Sequence, residues 1–273
     1  MTSGSDPRRV LLLHGFTGSA HSWGRPILEG LTRAGVQPEP IDLPGHGTRA
    51  GRTDASEFTL EAALAIVDGA SRSDEGDEGS VSDTPRRVGE PFGVVGYSMG
   101  GRLALHHALA HPERVERLVL ESASPGIEGE EARARRRASD EALADRIVDQ
   151  GIEAFVEYWA SLPLFASQRR LDDGVRAAHR ARRLANAPES LAAALRGLGT
   201  GALPSLWSSL ADLRTPTLLI AGSLDPKFVG IAERMAERLP NARVAIVPDA
   251  GHTVHLERPD RWLHLVADFF DEN

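Results

Sequence analysis

Gly93-Val94-Val95-Gly96-Tyr97-Ser98-Met99-Gly100-Gly101-Arg102-Leu103-Ala104-Leu105 decides how the rest of the chain is read. A short β-type run leads into Gly96-Tyr97-Ser98-Met99-Gly100, and a helix-type run leads out. This is a G-x-S-x-G element in a strand–turn–helix setting. Ser98 is expected in a strained backbone conformation on a very tight turn, where side chains at positions 96 and 100 would strike neighbouring backbone. The helix that starts there aims free N–H groups, and the positive end of its dipole, at any charge developing beside Ser98. The bland alternative is a serine that merely caps a helix. The surrounding chain weighs against it.

Upstream, Val10-Leu11-Leu12-Leu13 is a continuous apolar run, the pattern of a strand buried on both faces of a parallel sheet. It ends in the Gly-rich turn His14-Gly15-Phe16-Thr17-Gly18. The Phe16 N–H is the expected oxyanion donor, paired with the Met99 N–H. His14 is read as bracing the turn. A helix is expected over 22–34, a strand over 36–42, and then the tight loop Asp42-Leu43-Pro44-Gly45-His46-Gly47, with His46 structural. Residues 60–70 read as an amphipathic helix. The polar, Gly-rich stretch 71–91 reads as a flexible surface insertion.

Downstream, 115–121 is another strand, so strand and helix alternate and imply a parallel sheet with helices on both faces. His106 and His107, on the helix after Ser98, are read as structural, with no metal ligand at the right spacing and no metal or cofactor expected. From Gly126 to about Ser205 no β-run occurs. Helices are expected to start at Ser139 and to cover 152–159 and 172–185, as an inserted lid above the sheet. Strands resume at 217–221 and 244–247, with helices at 228–239 and 259–270. The organisation expected is a core over 1–126 and 206–273, with a helical lid over 127–205.

Asp225 falls in a turn after the first of those late strands and His252 in a turn after the next. Ser98…Asp225…His252 is the chain order of the α/β-hydrolase fold, each residue just past the carboxyl end of a strand. His252 can take the Ser98 proton, and Asp225 can fix the imidazole tautomer. A turn-capping aspartate and a core histidine are the bland alternatives. His255 is read as structural.

Composition narrows the rest. The 273 residues suit one large α/β domain with an insertion, and 41% hydrophobic with 26% charged residues is ordinary for a globular protein. The absence of cysteine excludes disulfides, thiolate catalysis and Cys-ligated zinc. No apolar run approaches a membrane span, and the N-terminus lacks a signal-peptide core, so a cytoplasmic enzyme is expected. A net charge of −8 argues against nucleic-acid binding. Membrane partners are not expected, and oligomeric state is left open.

Arg102 complicates a simple esterase reading. It lies four residues past Ser98 on the same helix face, where a cation opposes the dipole by ~0.3–1 kcal/mol. Its bland partner is Glu121; its functional partner is a substrate carboxylate, which suits the guanidinium fork. Arg133, Arg136 and Arg180 are further candidates in the lid. Together they suggest a small polyanionic substrate.

Six stretches resemble one family: Leu13-His14-Gly15-Phe16-Thr17-Gly18, Asp42-Leu43-Pro44-Gly45-His46-Gly47, Gly96 to Arg102, Glu121-Ser122-Ala123-Ser124-Pro125-Gly126, Leu162-Pro163-Leu164-Phe165-Ala166-Ser167-Gln168, and Gly251-His252-Thr253-Val254-His255. The chain resembles the 2-succinyl-6-hydroxy-2,4-cyclohexadiene-1-carboxylate synthases (MenH) of menaquinone biosynthesis, within the α/β-hydrolase superfamily. The resemblance implies a carbon–oxygen lyase without cofactor that eliminates pyruvate from a tricarboxylate enolpyruvyl ether, with the serine taking a proton from carbon. It implies substrate binding by Arg102, Arg136 and Arg180, with Tyr97, Trp159 and Phe165 lining the pocket; Arg133, Arg135 and Arg137 compete for the role of Arg136. The alternatives are a carboxylesterase or C–C hydrolase with Ser98 as acyl nucleophile, and a hydrolase-fold receptor that only binds.

Overall fold

The apolar run before His14 forms strand β1 (Arg8–Leu13), and its alternation sets up the whole core. Val10 and Leu12 face one side of the sheet; Leu11 and Leu13 face the other. Both sides are covered by helices, so all four are fully buried. The computed structural model describes residues 7–70 and 90–272; most of the expected 71–91 insertion, residues 71–89, lies outside them.

The elements follow in order: α1 (Gly24–Arg33), β2 (Val36–Ile41), α2 (Leu60–Ala70), β3 (Phe92–Tyr97), α3 (Met99–Ala110), β4 (Val115–Glu121), α4 (Glu130–Ser161), α5 (Asp173–Leu184), α6 (Pro188–Leu198), β5 (Thr217–Gly222), α7 (Pro226–Ala236), β6 (Ala242–Val247), α8 (Val254–Glu257) and α9 (Pro259–Asp271). The six strands form one sheet in the order β2-β1-β3-β4-β5-β6, and every neighbouring pair is parallel. The chain reverses its direction across the sheet between β1 and β3. Loops leaving those two strands therefore diverge and open a crevice at their carboxyl ends. Helix α3 packs into the sheet along nearly its whole length, and Met99 through Ala108 are all buried. Trp23, Trp262, Phe269 and Phe270 fill the opposite layer.

Between β4 and β5 the described chain is purely helical. Its own small core joins Ala144, Ile147, Phe155 and Val156 of α4 to Leu191, Ala192 and Leu195 of α6, and Phe16 packs against it from the β1 turn. One boundary differs from the sequence expectation. Helix α4 begins at Glu130, because Gly129 at φ 80 starts the turn and Glu130 and Glu131 complement the helix N-terminus. A break at Gly151 (φ 79) divides it into two helices, as expected from the sequence, and the second runs on to Ser161. Helix α6 was not anticipated at all. Among the described residues, no helix is long and apolar enough to cross a membrane.

Ligand-type side chains do stand near His107, where none was expected at metal-ligand spacing. His111 lies one helical turn beyond it, and Asp68 of α2 approaches both, 3.0 Å from His107 Nε2 and 3.7 Å from His111 Nε2. The i, i+4 histidine pair was present in the sequence. The carboxylate comes from 39 residues away, where only the packing of α2 on α3 could place it.

Candidate active site

The elbow is held by backbone crowding. A Cβ at Gly96 would come within 2.5 Å of Gly101 Cα, and one at Gly100 within 2.3 Å of the Leu13 carbonyl. Ser98 takes φ 52, ψ −107, a conformation that costs a non-glycine residue on the order of 1–3 kcal/mol. Its N–H is fixed to the Glu121 carbonyl at 2.9 Å, and its own carbonyl accepts the first α3 hydrogen bond from Arg102 N–H. The Met99 N–H is left at the helix start, where no helical carbonyl can reach it.

His252 Nε2 lies 3.1 Å from Ser98 Oγ, and His252 Nδ1 lies 2.7 Å from Asp225 Oδ2. Asp225 also caps α7, accepting from Phe228 N–H at 3.4 Å through its other oxygen. The two contacts use one carboxylate oxygen each. The imidazole is only 2% exposed. It is boxed by Phe228, Tyr97 and Phe165, with ring centroids 4.6, 5.5 and 6.0 Å away. The Tyr97 hydroxyl is held at 2.7 Å from Thr253 Oγ1.

Ser98, His252, Phe16 and Met99 line a cavity of about 220 Å³, together with Tyr97, Trp159 and Phe165. Arg102 and Arg136 line it too. Of the four clustered arginines at 133–137, Arg136 is the one that faces the cavity. It donates to Asp140 at 2.7 Å. Arg102 is 7% exposed; NH2 donates to the Leu198 carbonyl at 3.1 Å, and among the described residues no carboxylate lies within salt-bridge distance and Nε has no partner. Burial, and then the neighbouring Arg136 charge, lower its pKa to about 10, opposed by Asp140. The cavity lining therefore carries three cations, Arg102, Arg136 and Lys227, with the Asp140 carboxylate bonded to Arg136. Trp159 Nε1 and Ser122 Oγ, on two other lining residues, are likewise buried without a partner among the described residues. Such a set costs free energy unless a polar anion occupies the space.

Several expectations are revised here. Glu121 is not the partner of Arg102. It is fully buried and bonded to His255 Nδ1 at 2.9 Å and to the His255 N–H at 3.2 Å. Arg180 is not in the cavity; it is about half exposed and lies 3.6 Å from Glu157. Arg183, three residues on, is the buried arginine of α5. Its guanidinium lies 4.8 Å above the Phe165 ring, and its Nε has no partner among the described residues. The spacing Val175, His179, Arg183 marks the inward face of α5, a signal that the polarity of the residues masks. Ser122, at φ 47 in the turn after β4, is the other residue the sequence did not single out.

His14 and His46 brace the β1 turn. The Leu43 N–H donates to His14 Nε2 at 3.1 Å, and the Thr17 N–H to His46 Nε2 at 3.3 Å. Both rings must be neutral to accept. Burial pushes His14 from 6.5 to about 4; burial, then the His14 charge, pushes His46 to about 3. Because the unfolded chain takes up protons below pH 6.5 and the folded chain does not, stability falls as pH drops from 6.5 towards those values. By pH 5 each histidine should cost about 2 kcal/mol. Urea midpoints measured at pH 7 and pH 5 should differ accordingly; equal midpoints would remove this account of the turn.

The α/β hydrolase family model matches residues 10–265. A Bacillus subtilis (strain 168) protein, provisionally named 2-succinyl-6-hydroxy-2,4-cyclohexadiene-1-carboxylate synthase, is 40% identical over 260 residues, covering 95% of this chain and 89% of that one. The Salmonella typhimurium (strain LT2) synthase of the same name is 32% identical, covering 92% and 88%. The structure of MenH from S. aureus superposes with a TM-score of 0.86 at 33% identity, covering 97% of this chain and 94% of that one.

Proposed function

The chain belongs to the α/β hydrolase family, among its 2-succinyl-6-hydroxy-2,4-cyclohexadiene-1-carboxylate synthases, and we propose that Ser98, His252 and Asp225 carry the lyase reaction of that group. The reaction eliminates pyruvate from 2-succinyl-5-enolpyruvyl-6-hydroxy-3-cyclohexene-1-carboxylate, a step of menaquinone biosynthesis. The setting is the cytoplasm.

The observation that carries this reading is Arg102: a buried guanidinium, short of partners, in the same cavity as Ser98. A neutral ester would leave it unsatisfied, whereas a substrate carboxylate completes it. Arg136 supplies a second cation at the wall. Arg183 lies just behind Phe165, within reach of the same aromatic lining.

His252 Nε2 takes the Ser98 hydroxyl proton, and Ser98 Oγ takes the proton from the ring carbon beside the succinyl carbonyl. The electron pair moves onto the carbonyl oxygen, which the Phe16 and Met99 N–H groups receive. It returns through the ring double bond, and the bond between the ring carbon and the enolpyruvyl oxygen breaks. Pyruvate leaves as its enolate, and the proton held by His252 neutralises it. Asp225 stabilises the imidazolium meanwhile. No acyl–enzyme forms, so the elbow is used for its base and its oxyanion donors.

Incubation with the enolpyruvyl substrate should release one equivalent of pyruvate per equivalent of diene formed, read by reduction of the pyruvate with NADH. Folded protein that releases none would end this reading. A burst of acyl–enzyme with simple esters, without pyruvate release, would favour the carboxylesterase.

A further inference from the structure

A second group of ligand-type side chains lies away from the cavity, where α2 packs on α3. His107 and His111 project from the last turn of α3 and its C-cap, and Asp68 comes from the last turn of α2. One ligand atom from each lies within 4.8 Å of the other two. We propose that Asp68, His107 and His111 form a binding site for a divalent transition-metal ion of the zinc type.

Three features carry this. The first is the donor set. Two imidazoles and one carboxylate suit zinc, and the i, i+4 histidine pair on one helix is a spacing that lets two rings meet one ion. The second is size. Zinc bonds of ~2.0–2.2 Å put neighbouring ligand atoms roughly 3.3–3.5 Å apart in a tetrahedron. The Asp68 oxygens already lie 3.0 and 3.7 Å from the two Nε2 atoms. The full set of ligand atoms lies within 4.8 Å, so side-chain rotations of up to about an ångström close it on one ion. The third is charge. Both helices end here, so the negative ends of two dipoles converge on a site that already carries the Asp68 carboxylate. Arg114, which also faces Asp68, is the opposing charge that a cation must outweigh.

Access is graded. The His107 side chain is fully buried, Asp68 is 21% exposed and His111 38% exposed, so the site is entered from the Asp68 and His111 side. His107 lies nine residues beyond Ser98, roughly 13 Å along the α3 axis. The ion would tie α2 to α3 and take no part in the reaction at Ser98.

The test uses tag-free, chelator-treated, full-length protein. Co²⁺ titration should give the intense visible bands of four-coordinate cobalt at one equivalent per chain. Zn²⁺ should displace the cobalt and raise the Tm by about 3 °C or more. His111→Ala, at an exposed position that spares the core, and Asp68→Asn should each weaken metal binding by at least about tenfold. Pyruvate release should be unchanged by metal in the wild type. His264→Ala is the control, since His264 pairs with Asp268 on exposed α9. Absence of cobalt bands overturns the site and leaves a hydrogen-bonded Asp–His pair. So does binding that survives His111→Ala, or that disappears with His264→Ala.

Discussion

Ser98→Ala should lower kcat for pyruvate elimination by at least about 10³-fold while leaving substrate affinity nearly unchanged. The argument is geometric. Ser98 Oγ is the only atom of that residue directed at His252 Nε2, at 3.1 Å. Removing it deletes the proton relay but not the oxyanion donors, which are main-chain groups of Phe16 and Met99. It leaves Arg102 and Arg136 in place. Calorimetric titration with substrate should therefore still show binding, and stopped assays should show no product above the residual rate. Retention of activity within tenfold would mean that His252 acts on carbon directly. The same position makes a stability prediction of opposite sign. Ser98 sits at φ 52, where glycine carries no strain. Ser98→Gly should be inactive and yet more stable than the wild type by about 1 kcal/mol.

Arg102→Met should reduce kcat/KM by about 10²–10³-fold with no loss of stability. In the free protein Arg102 is a burden: it is buried, its Nε has no partner among the described residues, and the neighbouring Arg136 charge opposes its own. Methionine fills similar volume without charge, so the denaturant midpoint should hold or rise. The same replacement leaves a substrate carboxylate facing an apolar wall. Arg102→Lys should not restore activity, because an ammonium cannot form the paired hydrogen bonds of a guanidinium fork. Activity that survives Arg102→Met would return the site to the carboxylesterase reading. A midpoint that falls sharply would show Arg102 to be structural.

The elbow, the Ser98–Asp225–His252 order and the six strands were readable because each depends on neighbours in sequence. Gly96 is demanded by the Gly101 backbone a few residues on, and continuous apolar runs such as Val10 to Leu13 mark strands covered on both faces. Helices α4 and α6 were read less well. Arginine, glutamate and alanine dominate α4, and the inward faces of both helices are set by each other rather than by the sheet.

Charge placement was the hardest part to read. Arg180 and Arg183 differ by one turn of α5, and both are arginines. The packing of α5 on α4 alone put Arg183 over Phe165 and Arg180 beside Glu157. By sequence Glu121 was read as the bland partner of Arg102, and the return of the chain at α8 gave it to His255. Asp68 met His107 and His111 by the same kind of long-range packing. The sequence by itself determined the machinery at Ser98, because steric demands within a turn act over a few bonds. Only the tertiary structure decided which charges surround that machinery, because electrostatic partners are chosen through space among segments far apart in the chain.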